Sequence, residues 1–108
     1  MNLLELHCET AHGLSPLDTN TTSQFLAKLP DWEIKGIELS KTFRFADYYQ
    51  TMAFVNALAW IAHQEDHHPD LSVHYNRVVV CFSTHDAGGL TLNDFICAAK
   101  TEALQGRA

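Results

Sequence analysis

With 108 residues, 46% of them hydrophobic, the chain has apolar surface for one core and not for two. Thirteen acidic side chains against seven basic ones leave a formal charge of −6, which argues against partners bound by neutralising phosphates, namely nucleic acid and anionic membrane. No apolar run approaches the roughly 20 residues needed to span a bilayer, and MNLLELHCET lacks the features of a signal peptide, so a cytoplasmic protein is expected.

Residues 1–20 carry Gly13, Ser15, Pro16, Asp18 and Asn20 without a sustained period, which predicts an irregular N-terminal arm ahead of a single domain at 21–108. Thr21 to Leu29 places Phe25, Leu26 and Leu29 on one helical face, and Pro30 ends it. Trp32 to Lys35 and Ile37 to Phe45 read as two strands around Gly36, with the alternation broken at Ser40 to Thr42. Asp47 with Gln50 three residues on marks a helix start. The apolar rows Met52, Val55, Leu58, Ala59, Ala62 and Phe54, Leu58, Ile61 predict this as the central core helix. It must stop near His67 and His68, because Pro69 forces His68 toward an extended conformation.

Leu71, Val73 and Tyr75 alternate with polar residues, and Val78 to Ser83 is rich in β-branched side chains, so a hairpin with Asn76 in its turn is predicted. If Val78 to Phe82 forms a sheet edge, it would tend to pair with a neighbouring copy. After Gly88 and Gly89, Thr91 with Asp94 resembles a capping box opening a last helix, with Phe95, Ile96, Ala99 and Ala103 on its buried side.

Cys8, Cys81 and Cys97 are odd in number and contain no C-x-x-C pair, so free thiols are expected rather than a disulfide framework or thiolate zinc site. Seven histidines are many for this length, and their placement matters more. His67 and His68 stand at a helix end, and His85 just past a strand before a flexible glycine pair. If those ends are neighbours, three imidazoles converge on one cleft, where one neutral and one charged ring supply a base and an acid near neutral pH. A surface His-His-Pro string is also commonly idle. His63, four residues before His67, suggests a metal only superficially, since the helix should end before Pro69 and no carboxylate completes a ligand set, and the irregular context of His7, Cys8 and His12 reads as a surface arm.

Glu65-Asp66-His67-His68-Pro69-Asp70, then Val73-x-Tyr75-Asn76-x-Val78, then Thr84-His85-Asp86-Ala87-Gly88-Gly89-Leu90-Thr91-x-x-Asp94-Phe95 closely resembles the signature of the pterin-4a-carbinolamine dehydratases. Leu29-Pro30-x-Trp32-Glu33 and, more weakly, Cys8-Glu9 and Ser15-Pro16-Leu17 extend the resemblance over most of the chain. It implies an α+β fold, a four-stranded antiparallel sheet with three helices packed on one face, in agreement with the element order. It also implies a hydro-lyase that converts 4a-hydroxytetrahydropterin, the product of aromatic amino acid hydroxylases, to quinonoid dihydropterin and water. No metal or organic cofactor is implied, and homodimers or homotetramers are.

Matched by position, His67, His68 and His85 correspond to the family's catalytic histidines, and Asp66, Ser83, Thr84 and Asp86 to its pterin pocket. Leu71-Ser72 departs from an aromatic pair in animal members, which bears on pterin side-chain preference. The alternative function is a protein-binding dimerisation or regulatory module with a vestigial pterin site, a role the family also plays in animals for a homeodomain transcription factor. A metal-binding domain is a third class, separated by stoichiometric zinc in the purified protein.

Overall fold

The computed structural model describes residues 2–10 and 14–105. One 3-10 turn at Leu3–Glu5 precedes α1 (Thr19–Leu26), β1 (Glu33–Lys35), β2 (Glu38–Arg44), α2 (Tyr48–Glu65), β3 (Asp70–Val73), β4 (Arg77–Phe82) and α3 (Leu92–Gln105). The four strands form one sheet in the order β1-β2-β4-β3, every neighbour antiparallel, so the expected α+β class is observed.

Alternation along β4 buries Val78, Val80 and Phe82. Their register partners on β2 include Leu39 and Phe43, and the combined apolar face meets Phe54 of α2 and the Trp32 ring. The break at Ser40 to Thr42 does not shift the register. Lys41 takes an inward position, its side chain only 12% exposed, and its Nζ lies 2.7 Å from Glu102 Oε1 on α3. Trp32 Nε1 donates to the same oxygen at 2.9 Å, so the polar interruption is matched by a carboxylate from above.

Four expectations are corrected. Val78 to Phe82 is not a sheet edge: β4 is flanked by β2 and β3, because its apolar alternation is best satisfied in the centre, and the short strand β3 is the edge on that side. The central helix is α3 rather than α2. Asn93 to Ala99 and Thr101 are all buried on α3, whereas α2 buries Thr51, Phe54, Leu58 and Glu65 and leaves Trp60 62% exposed. The bulky Phe54 and Leu58 row faces the core, and the Met52, Val55, Ala59 row lies half-buried or exposed.

The first helix begins at Thr19 rather than Thr21, since Asp18 caps it by accepting from Thr21 N–H at 2.7 Å, and it ends at Leu26, where Leu29 N–H turns back to the Leu26 carbonyl. The arm is also less irregular than expected, with Leu3 in the core cluster and Leu6 and Cys8 packed against it. His12 of the His7, Cys8, His12 group lies outside the described residues.

Candidate active site

The two ends that the sequence leaves unpaired, after α2 and after β4, are brought side by side. Asp66, His67, His68, Asp70, Cys81, Ser83, Thr84, His85 and Asp86 line one cavity of about 250 Å³. Every site residue singled out above is on its wall. Asp70 and Cys81, cross-strand partners on the sheet face opposite Val80 and Phe82, were not singled out.

α2 stops through its own backbone. Asp66 adopts a left-handed conformation, φ 51°, and its N–H returns to the Ala62 and His63 carbonyls while His67 N–H reaches Ala62 O at 3.1 Å. This closure is the usual one at helix C-termini, and Pro69 then prevents a further turn. His67 turns inward, its side chain 9% exposed and its ring nearly parallel to Phe82 at 6.1 Å between centroids. His68 stays exposed, with Nδ1 donating to the Pro69 carbonyl at 3.3 Å.

His67 Nε2 lies 2.7 Å from Oδ1 of Asp94, a carboxylate with no solvent exposure. Oδ2 of Asp94 accepts from the Thr84 hydroxyl at 2.8 Å and from Thr91 N–H at 2.9 Å. A carboxylate accepts, so His67 carries its proton on Nε2 and Nδ1 is the uncommitted nitrogen. The Thr84 hydroxyl, having donated its one proton to Asp94, accepts from Thr91 Oγ1 at 2.9 Å. Thr84 therefore builds the wall behind His67.

His85 opens a 3-10 turn, His85–Ala87, closed by Gly88 at φ 74°, a conformation that glycine adopts without the Cβ penalty. Its Nε2 sits 3.2 Å from Ser83 Oγ. Asp66 and Asp86 are exposed carboxylates at the rim. Three imidazoles thus share a cavity, one held rigidly by a buried acid and two in contact with water, which is an arrangement able to give and take protons.

The other histidines are elsewhere. His63 is exposed beside Trp60, His74 bonds Ser72, and His7 lies 2.8 Å from Glu65 Oε2. Among the described residues no group of three or more His, Cys, Asp or Glu side chains is placed to hold a metal ion. Sequence reasoning missed Asp94 as a partner of His67, having assigned it only to the helix cap. The one available signal was an acidic residue flanked by Phe95 and Ile96 on a helix side expected to be buried.

A family model for pterin 4 alpha carbinolamine dehydratase matches residues 15–104. A protein of Chromobacterium violaceum is 79% identical over 104 residues, 96% of each chain. One of Xanthomonas euvesicatoria is 59% identical over 105 residues, 94% of this chain and 89% of the other. Both carry the name "Putative pterin-4-alpha-carbinolamine dehydratase". Among solved structures, a transcriptional coactivator/pterin dehydratase from Brucella melitensis superposes with a TM-score of 0.79 at 30% identity, over 83% of this chain and 98% of that one. A pterin dehydratase-like RuBisCO assembly factor of the alpha-carboxysome gives 0.60 at 29% identity, over 69% and 87%. With the family model covering most of its length and relatives this similar along nearly all of it, the chain belongs to the pterin-4a-carbinolamine dehydratase family.

Proposed function

We propose that the protein dehydrates 4a-hydroxytetrahydropterins to quinonoid dihydropterin and water, and so serves tetrahydropterin recycling after aromatic hydroxylation. The observation that carries this reading is the convergence of His67, His68 and His85 on one cavity, with His67 anchored by buried Asp94. Losing the 4a-hydroxyl requires a proton at the departing oxygen and removal of the N5 proton. His67 and His85 perform these transfers in this proposal and His68 positions the hydroxyl, while Asp66, Ser83 and Asp86 contact the pterin and Thr84 holds the wall. Because carbinolamines dehydrate unaided, modest acid and base terms suffice.

The test is stopped-flow decay of the carbinolamine with and without protein. His67→Ala and His85→Ala should each slow dehydration by ~10² to 10⁴ with the fold intact. Wild-type rates in both would overturn the assignment. His68→Ala should act mainly on KM. Prolonged dialysis against EDTA should leave activity unchanged, and a loss restored by zinc would replace the histidine mechanism with a metal one.

The proposal extends to a cytoplasmic homodimer or homotetramer, with residues 21–108 as the single domain and 1–20 as an N-terminal arm. The unpaired side of β3, with Leu71 37% and Val73 42% exposed, supports association. Light scattering after size exclusion tests it, and a monomer at micromolar concentration would count against it.

A further inference from the structure

Next to the catalytic segment, with none of its residues on the cavity wall, a cluster that the reaction does not use fastens the arm to α2 and α3. Glu65, the last residue of α2, accepts from Cys8 N–H at 2.7 Å and contacts His7 Nδ1 at 2.8 Å. Glu9 N–H donates to Asn93 Oδ1 at 3.0 Å, and Asn93 Nδ2 donates back to the Glu9 carbonyl at 2.7 Å. The backbone around Cys8 is therefore held on both sides. Its sulfur is aimed at α3, 3.6 Å from the Asn93 carbonyl and 3.4 Å from Cys97 Sγ.

We propose that Cys8 and Cys97 form a modification site, a dithiol that closes to an intramolecular disulfide when the protein meets a peroxide. Little more than an ångström of approach separates the present contact from a bond of about 2.05 Å, and the arm that must give is a single strand of chain rather than a packed helix. Cys8 is half-buried and Cys97 buried, so the oxidant reaches Cys8. The Cys97 thiol is pushed well up by its hydrogen bond with Cys8, by burial, and by the nearby charges of Glu65 and Asp94, so it keeps its proton and leaves the first attack on peroxide to Cys8.

The steps balance. The Cys8 sulfur attacks one peroxide oxygen, the O–O bond breaks, and a sulfenic acid and one water result. The Cys97 sulfur then attacks the Cys8 sulfur, the S–O bond breaks, and the departing hydroxide takes the Cys97 proton as a second water. Two electrons and two protons pass from the pair to hydrogen peroxide. Cys81 stands apart, bonded to Ser40 across the sheet, and serves as an internal control. A pair 89 residues apart in sequence is invisible to spacing arguments, and in a reducing compartment such a link is transient.

The test uses the full chain, reduced, freed of reductant and treated with a few equivalents of hydrogen peroxide. Mass spectrometry after alkylation should find one linked peptide pair containing Cys8 and Cys97, two hydrogens lighter, with Cys81 alkylated. Dithiothreitol should reverse the link. The linked protein should melt about 10 °C higher, because the bond closes a loop of most of the chain. Cys81→Ser should still form the Cys8–Cys97 link and show its reversal by dithiothreitol. Cys8→Ser, at a half-buried position that tolerates it, should abolish both the link and the shift, as should Cys97→Ala. Sulfinic acid at Cys8 without a link, a link through Cys81, or a bond between two chains would overturn the proposal.

Discussion

Asp94 takes three hydrogen bonds on a carboxylate with no exposure to water, from His67, Thr84 and Thr91. A buried acid in that position fixes the tautomer and the ring plane of His67, the service a carboxylate performs for a metal-bound or catalytic imidazole elsewhere. Asn in its place keeps the shape but presents an amide, which can donate to the ring and favour the wrong tautomer. Asp94→Asn should therefore lower kcat by about 10²-fold with KM little changed, and Asp94→Ala should also lose stability by about 2 kcal/mol through the unpaired Thr84 and Thr91 donors. An Asp94→Asn variant with wild-type kcat would remove Asp94 from the mechanism. The histidines were legible in the sequence because a proline and a glycine pair mark the ends of their elements. The Asp94 contact was not, since 27 residues separate it from His67 and only packing of α3 under the α2 terminus brings them together.

At the scale of the elements, the end of α2 is where architecture and site meet. Asp66 is at once the left-handed residue that closes the helix and a carboxylate on the cavity wall. Glycine is at ease in that conformation and alanine is strained by ~1 kcal/mol. Asp66→Gly should thus match or exceed wild-type stability in urea while binding pterin more weakly, and Asp66→Ala should lose on both counts. Equal pterin affinity in all three would confine Asp66 to the cap.

One residue earlier, Glu65 ties the arm to the helix. Burial pushes its carboxyl up, but the Cys8 N–H, His7 and Lys100 together outweigh burial and hold it below the ordinary value of 4.5. A depressed folded-state pKa gives stability that is full above that value and is lost as pH falls through the lower, folded one. Unfolding midpoints should hold from neutrality down to about pH 4.5 and decline below it. Glu65→Gln should cost about 2 kcal/mol at pH 7 and show a shallower acid limb than wild type; parallel limbs would mean that the arm contact is not coupled to folding. Strand and helix positions were legible because periodicity reports one neighbour face at a time. The sheet order, the inward Lys41 with Glu102, and the primacy of α3 depend on which faces meet, and no local period encodes that.

For the whole molecule, charge and cavity point the same way. The chain carries a formal −6, and the cavity wall includes Asp66, Asp70 and Asp86 with no lysine or arginine. A tetrahydropterin ring with a hydroxyalkyl side chain brings no net charge into this field. A side chain ending in phosphate or glutamate brings one or more negative charges among exposed carboxylates. Each such pair, some 8 Å apart in a solvated cleft, costs about 0.5 kcal/mol at the dielectric constant of water and more where the walls exclude it. Three carboxylates then sum to about 1.5 kcal/mol, roughly tenfold in kcat/KM. At low ionic strength the neutral carbinolamine should be preferred over its phosphorylated counterpart by about that factor. The preference should shrink toward unity near 1 M salt, where the screening length is only about 3 Å. Asp70→Asn, which alters the wall without touching the histidines, should reduce the low-salt preference by about twofold and leave the high-salt rates equal to wild type. Equal kcat/KM for the two substrates at low salt would show that side-chain choice is not made by charge, and Leu71, which pairs with Val80 on the sheet face away from Asp70 and Cys81, does not line the cavity.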